Sequence, residues 1–364
     1  MVKVCIVTGA RPNFMKVAPI IRAIKKASEE GKEISYRLIY TGKKSDPTLE
    51  PSLFSDLQID APDEYLGVDS ANLNELAGMT MFAFEKELEV HPVDVVIVVD
   101  DLTSTMAAAI VTKKKGITLA HLVAGTRSFD INMPKEINRL VINGLSDLLF
   151  TAGVSSNRNV SRVDSENLQV YMVGNILMDT LRFNNSRFTK PSVFTELNLT
   201  DGGYLVFTIN RRVLLADKAN LKKMLEAAVK ESAGVPIIAP VHDYAHKEIK
   251  ELVPDAGNLH LIDPLSYLEF GYLTSRAKGI ITDSGNVAEE ATFNRIPCIT
   301  LNSYTEHIET VNIGSNVLVG EDAAQLGEAV KQLVSGAWKP CAVPERWDGR
   351  TAERITQILL ENKY

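Results

Sequence analysis

The first twenty residues constrain the rest of the chain more than any other stretch. Val2–Val7 is an apolar run of strand length. It ends in the turn Gly9-Ala10-Arg11-Pro12-Asn13, and a helical pattern follows with apolar residues at Met15, Val17, Ile20 and Ile21. A strand that ends in a glycine turn and opens a helix aims backbone N–H groups and the positive helix end at the sheet's C-terminal edge, where an anion can sit. Two cations, Arg11 and Lys16, fall in the turn and the first helical turns. Their placement favours a phosphate-facing role over plain solvation.

The same unit recurs. Strand-length apolar runs follow at Ile34–Tyr40, Val93–Val99, Thr118–Val123, Leu148–Thr151 and Gln169–Val173, with amphipathic segments such as Ala71–Leu88 and Leu102–Lys114 between them. The pattern restarts at Tyr204–Ile209 and continues through Pro236–Pro240, Leu259–Ile262, Gly279–Thr282, Pro297–Leu301 and Asn316–Val319. Short buried strands alternating with helices predict parallel sheets covered on both faces. A chain of 364 residues accommodates two such domains. The expected division is 1–175, 176–350 and a C-terminal helix, 351–364, crossing back to the first domain. Two doubly wound domains predict a ligand cleft facing the C-terminal ends of the strands.

Polar clusters fall at those strand ends: Asp100-Asp101, Gly125-Thr126-Arg127, Asn210-Arg211-Arg212, His242 and Asp283-Ser284-Gly285-Asn286, the last followed by Glu289-Glu290. Each has a plain explanation alone. Asp283-Ser284 would cap the next helix, Asp100-Asp101 would be a solvated strand end, and Arg211-Arg212 a surface pair. Their common location in both halves points instead to an anionic, nucleotide-containing ligand. Carboxylates near the second glycine turn suit ribose hydroxyls, because they are acceptors. A net charge of -7 argues against a nucleic-acid surface. The cysteines Cys5, Cys298 and Cys341 show neither metal nor disulfide spacing, which fits a reducing cytoplasm. No leader pattern or membrane-length apolar run is present, so a cytoplasmic protein without membrane association is expected.

Several stretches together resemble the non-hydrolysing UDP-N-acetylglucosamine 2-epimerases, which share the GT-B fold. They are GARPNFMKVAP (9–19), AGTRSFDINMPKEINR (124–139), SDLLF (146–150), VGNILMDTL (173–181), PVH (240–242), IDPLSYLEF (262–270), TDSGNVAEEA (282–291), TEHIETVNIG (305–314) and GRTAERI (349–355). The resemblance implies an α/β, GT-B-like fold of two Rossmann-like domains. It also implies interconversion of UDP-GlcNAc and UDP-ManNAc: the C2 proton is removed and UDP expelled, then both are added back. No metal or cofactor is implied, and a homodimer is expected because the family is often dimeric. Residue by residue, Arg11 and Lys16 match the basic residues near diphosphate and sugar. Asp101 matches the acidic residue after the third main strand, and Glu136 and Arg139 match the second Glu and the Arg of the family's Pro-Glu-Glu-x-Asn-Arg segment. Arg211 and His242 match the nucleotide side, Ser284 and Gly285 the phosphate turn, and Glu290 the ribose carboxylate. Arg11, Lys16, Asp101 and Glu136 are therefore the catalytic candidates, and Arg139, Asn210, Arg211, His242, Ser284, Gly285 and Glu290 the binding ones.

The chain departs from the family where protons are moved. The usual His-Val-Glu-Ala-Gly reads His121-Leu122-Val123-Ala124-Gly125, so a carboxylate has become Val123. The first Glu of the Pro-Glu-Glu segment is Lys135, and the His of Gly-His-Arg-Arg is Asn210. The Gly-Gln-His segment is Gly42-Lys43-Lys44, the Gly before the family's Asp is Asp100, the second Gly of the Asp-Ser-Gly-Gly turn is Asn286, and the Arg of the Glu-Arg-Pro-Glu segment is His307. Asp100 is expected to be a plain polar strand end, since neighbours on a strand point to opposite faces. Three functions follow: an epimerase of this family, a UDP-sugar-binding protein with impaired chemistry, or an enzyme for another UDP-sugar. Lys44 and Lys135 would suit an acidic one.

Overall fold

The computed structural model describes residues 1–50, 52–161 and 168–364. They divide into two compact units, Met1–Thr180 with Glu345–Tyr364, and Leu181–Pro344. Both are parallel-sheet α/β units, as the alternation of apolar runs predicts.

In the first unit the strands are β1 (Val2–Thr8), β2 (Ile34–Tyr40), β3 (Glu64–Tyr65), β4 (Val95–Val99), β5 (Thr118–Ala124), β6 (Leu148–Thr151) and β7 (Gln169–Met172). They form a seven-stranded sheet in the order β3-β2-β1-β4-β5-β6-β7. Alternate residues of β1 serve opposite faces. Val4 and Ile6 pack with the first helix, Arg11–Glu29, and with the C-terminal helix, Thr351–Glu361. Cys5 and Val7 pack with the helices Leu73–Val90 and Thr103–Lys114. Covered on both sides, β4 can be apolar throughout, and all of Val95–Val99 is buried. The strand order reverses between β1 and β4, which opens a crevice at their C-terminal ends.

The second unit repeats the plan with β8 (Leu205–Thr208), β9 (Ile237–Pro240), β10 (Leu259–Ile262), β11 (Gly279–Thr282), β12 (Cys298–Thr300) and β13 (Asn316–Leu318). Their order is β10-β9-β8-β11-β12-β13, with the reversal between β8 and β11. Leu205 and Phe207 face one core cluster, Tyr204 and Val206 the other. The ladders are shorter than the apolar runs because flanking residues such as Tyr204 and Ile209 are buried without joining them. Strand β3 carries no apolar run and was not expected. It pairs two residues with the end of β2.

The chain re-enters the first unit along a specific track. Trp347, 1% exposed, donates from Nε1 to the Ala152 carbonyl at 3.0 Å. Gly174, at φ +104°, lies so close to this segment that a Cβ would sit 2.0 Å from the Arg346 carbonyl oxygen. Only glycine meets both conditions. Asp179, on the helix Ile176–Asn184, then accepts from the N–H groups of Thr351 (3.1 Å) and Ala352 (2.8 Å). A carboxylate remote in sequence thus caps the C-terminal helix at its positive end. Burial pushes the Asp179 carboxyl up to about 6, against the pull of these two N–H donors. Asp179→Ala should cost about 1–2 kcal/mol of stability at neutral pH. The loss should appear as a lower Tm and faster amide exchange across 351–361, with exchange in the second unit unchanged.

Candidate functional site

In the first unit the candidate residues gather at the crevice between β1 and β4. The Gly9-Ala10 turn is fixed from inside the helix: Asn13 Oδ1 accepts from Gly9 N (2.9 Å) and Ala10 N (3.2 Å). Gly9 abuts the helix Thr103–Lys114, and a Cβ there would lie 2.3 Å from Ser104 Oγ. The residue after β4, Asp100, has φ +58°. Its carboxylate accepts from Lys16 Nζ at 2.6 Å and from Asn13 Nδ2 at 2.8 Å. Its N–H reaches the Leu122 carbonyl at 3.3 Å, and its own carbonyl meets His121 Nε2 at 2.8 Å. Asp100 is therefore not the plain strand end expected of it. The backbone has turned by position 100, which lets both aspartates leave the strand direction. Burial lowers the pKa of His121, favouring the neutral ring, whose Nδ1 faces the Asn143 amide at 2.7 Å. Arg11 pairs with Glu50, Nε to Oε2 at 2.7 Å, in an exposed contact.

Next to this seat, Asp101 and Glu136 form a second ionic cluster with the helix Pro134–Leu145. Asp101 Oδ2 accepts from Arg139 Nε at 2.8 Å and Nη2 at 2.5 Å. Lys135 Nζ stands 3.9 Å from Asp101 Oδ1, with its side chain 61% exposed. Asn138 Nδ2 donates to the Asp101 carbonyl at 2.8 Å. Glu136 is 1% exposed. It accepts from Arg127 Nε, from Ser128 N at 2.8 Å and Ser128 Oγ at 3.0 Å, and pairs with Arg139 Nη1 at 3.5 Å. Burial would raise its pKa, but the Ser128 and Arg127 donors outweigh it and hold the carboxyl below its ordinary range. Val123 sits between these groups in the chain, at φ +65°, where β5 shifts register against β6. Its partly buried side chain packs on the apolar core.

The second unit has its own crevice between β8 and β11. Asp283 Oδ2 accepts from the backbone N–H groups of Asn210 (2.8 Å) and Arg211 (2.6 Å). Below it the Thr208 and Thr282 hydroxyls bond at 2.7 Å. Ser284 is the N-cap of the helix Gly285–Asn294, its Oγ accepting from Val287 N at 3.5 Å. The Arg211 guanidinium reaches the Asn302 side chain, the Leu301 carbonyl at 3.3 Å and Glu321 at 3.5 Å. Ser284 and Gly285 open onto a cavity of about 300 Å³, also lined by Glu289, Asn302 and His307. His307 Nε2 lies 3.6 Å from Glu289 Oε1, and both side chains are buried. His242 is exposed at the start of the helix Asp243–Leu252, and neither it nor Glu290 is among the cavity's walls.

Sequence reasoning missed Asn13, Glu50, Ser128 and Asn143, although Asn13 lies in a turn already singled out. A polar side chain three residues into a helix that follows a glycine turn is a readable signal for a bond back to the turn. Glu50 and Asn143 carry no such signal, because their partners are set by tertiary packing. Among the described residues no three His, Cys, Asp or Glu side chains gather as metal ligands, and no helix is long and apolar enough to cross a membrane.

Glu290 yields a pH test. Burial, then the neighbouring Glu289 carboxylate, pushes its carboxyl from 4.5 to about 8. A carboxyl with a raised folded value keeps a proton that the unfolded chain releases. Its contribution to stability is present below about pH 4.5 and is lost as pH rises through about 8. Wild-type Tm should therefore fall across that interval more steeply than that of Glu290→Gln, which mimics the protonated carboxyl, so the two curves lie close at the acid end and separate towards the alkaline end. Parallel curves would show that this carboxyl ionises normally.

The family model described as UDP-N-acetylglucosamine 2-epimerase matches residues 26–360. The chain is 33% identical over 375 residues to the UDP-N-acetylglucosamine 2-epimerase of Methanocaldococcus jannaschii, covering 100% of both. It is 30% identical over 332 residues to the UDP-2,3-diacetamido-2,3-dideoxy-D-glucuronate 2-epimerase of Pseudomonas aeruginosa, covering 90% of this chain and 91% of that one. Among solved structures, the M. jannaschii enzyme in complex with UDP-GlcNAc and UDP superposes with a TM-score of 0.82 at 32% identity, over 99% of this chain and 100% of that one. The Neisseria meningitidis UDP-GlcNAc 2-epimerase bound to UDP-GlcNAc gives 0.85 at 26% identity, over 99% and 100%. With two Rossmann-like units and neighbours of this kind, the fold is GT-B, and the chain belongs to the UDP-N-acetylglucosamine 2-epimerase family.

Proposed function

We propose that this protein binds a UDP-sugar and is a weak epimerase or none. Binding is supported by family membership, by relatives that hold UDP-GlcNAc, and by the Ser284-Gly285 turn at a helix N-terminus beside a cavity. In this reading the turn and Arg211 take phosphate, while His242 and Glu290 serve the nucleoside.

The observation that carries the second half is the state of the carboxylates in the first unit. Epimerisation at C2 needs a base to take the proton on one face and an acid to return it on the other. Asp100 is held by Lys16, Asp101 by Arg139, and Glu136 by Arg127, Ser128 and Arg139. The donors around Glu136 hold its carboxyl below the ordinary range, which stabilises the anion and makes it a poor proton acceptor. Val123 has no proton to move, and Lys135 puts a cation beside Asp101. Each missing acid or base is worth roughly 10²–10⁴ in rate, and such losses need not multiply.

The test is incubation with UDP-GlcNAc in heavy water, with binding measured separately by calorimetry. The expected outcome is saturable binding with neither C2 deuterium nor UDP-ManNAc at a rate useful to a cell. Replacing Val123 and Lys135 by Glu and Asn210 by His should raise exchange by at least about 10². Substantial turnover by the unaltered chain would overturn the proposal.

One observation favours a second reading, an active enzyme for an acidic sugar. The Lys135 ammonium is largely exposed beside the buried Asp101–Arg139 pair, and the P. aeruginosa relative is named for a glucuronate. In competition binding, a UDP-hexosaminuronate should then outcompete UDP-GlcNAc, and Lys135→Gln should erase the difference. Equal affinities would dismiss it.

A further inference from the structure

The anion seat at the start of the first helix is already filled by a carboxylate of the chain itself. The helix Arg11–Glu29 has no acidic residue in its first turn to balance its positive end. Asp100 supplies that charge from the end of β4. Its two oxygens divide the work, Oδ1 taking Lys16 Nζ and Oδ2 taking Asn13 Nδ2. Asn13 is 2% exposed, and its carbonyl oxygen is committed to Gly9 N and Ala10 N, so the amide presents a fixed donor. Asp100 is held equally firmly from behind, through Leu122 and His121. The left-handed backbone at position 100 sends the side chain across the crevice rather than along the strand.

We infer that Asp100 is an internal competitor for the phosphate groups of the ligand, and that it sets how tightly the Gly9–Lys16 turn takes a diphosphate. The inference rests on reading the protein as a UDP-sugar binder and concerns the control of that same site. Around the turn the formal charges cancel, since Arg11 and Lys16 face Glu50 and Asp100. The two pairs are not equivalent. The Arg11 and Glu50 side chains are 36% and 52% exposed, so solvent screens them and a ligand opens the pair at little cost. Lys16 and Asp100 are 12% and 17% exposed, so solvent screens their contact less and a phosphate at this turn has to compete with it. The ammonium and the amide have further N–H donors, but a phosphate brought to them stands against the Asp100 carboxylate, and like-charge repulsion weakens its hold on this turn while that carboxylate stays in place. The consequence is a preference for ligands that bring more negative charge to this turn than one carboxylate does.

Two substitutions separate charge from fold. Asp100→Asn keeps the shape and the left-handed backbone, which asparagine tolerates, and removes the charge. Asp100→Gly removes the side chain at a φ that glycine adopts freely. Calorimetric titration of the full chain with UDP, inorganic pyrophosphate and uridine reads the effect. Both variants should bind UDP and pyrophosphate about tenfold more tightly or better, the scale of a charge-assisted hydrogen bond. Uridine, which has no phosphate, should bind as before. Unchanged or weaker UDP and pyrophosphate binding by both variants, with thermal unfolding showing them intact, overturns the inference even if wild type binds UDP well. If no form binds UDP but the variants still gain affinity for pyrophosphate, the UDP-sugar reading fails while the competitor stands. A uridine affinity that rises as much as that of UDP also overturns it, since the gain would not come from phosphate.

Discussion

Everything at the candidate site depends on one topological constraint, the reversal of strand order inside each sheet. Between β1 and β4, and again between β8 and β11, neighbouring strands lead into helices on opposite faces. The backbone N–H groups beyond those strand ends have no ladder partner, and something has to satisfy them. In the second unit an aspartate one residue past the later strand does part of this; in the first, Asn13 serves the Gly9 and Ala10 N–H groups and the aspartate at the matching position holds Asn13. Asp283 accepts from Asn210 N and Arg211 N across its crevice. Asp100 reaches the side chains of Asn13 and Lys16 across the other. The difference is informative. Asp283 organises backbone and leaves the Ser284-Gly285 turn open to a cavity, whereas Asp100 neutralises the cation that faces its turn.

Charge pairing explains why the first unit can bury so many ionised groups. Glu136 and Arg139 are nearly inaccessible, and either alone would be expensive to bury. Together with Arg127, Asp101 and the Ser128 donors they form a network in which each carboxylate meets cations or N–H groups. Such a network is rigid, and removing one member strands another. The arrangement that keeps the cluster folded is also the one that fills the lone pairs proton transfer requires. In the proposed reading Asp101 and Glu136 would have to serve proton transfer with those same lone pairs, and Lys135 adds a further cation beside Asp101.

The strands and their parallel order were legible because burial on both faces demands uninterrupted apolar runs, as in Val95–Val99. Strand ends were legible to within a residue or two, and polar clusters there marked both crevices. What was not legible is what depends on backbone sign and remote partners. The period-2 rule places Asp100 and Asp101 on opposite faces, but it holds only while the strand continues, and the chain enters a left-handed conformation at Asp100. No local pattern announces that turn, since the residue there is not glycine. The two-residue strand Glu64–Tyr65 was invisible for a simpler reason, its lack of any apolar run. Asp179 capping Thr351 and Ala352 lies beyond sequence reading because the bond joins positions on separate passes of the chain through one unit.

Val123 is held in a backbone conformation that its own side chain does not favour. A β-branched residue at φ +65° is strained by about 1–2 kcal/mol, because Cβ crowds the following carbonyl. Nothing about valine asks for this conformation, so the neighbours must impose it. Gly125, also left-handed, packs against the Ser156 carbonyl so closely that a Cβ would stand 2.2 Å from it. On the other side, Leu122 is held in the β5 ladder and accepts from Asp100 N. Pinned at both ends, the chain has one residue too many for its register against β6, and position 123 takes up the excess as a bulge. An unbranched side chain would sit there with less crowding. The geometry therefore suits an unbranched side chain such as glutamate better than the valine that occupies it, so the fold itself gives no reason for valine at this position.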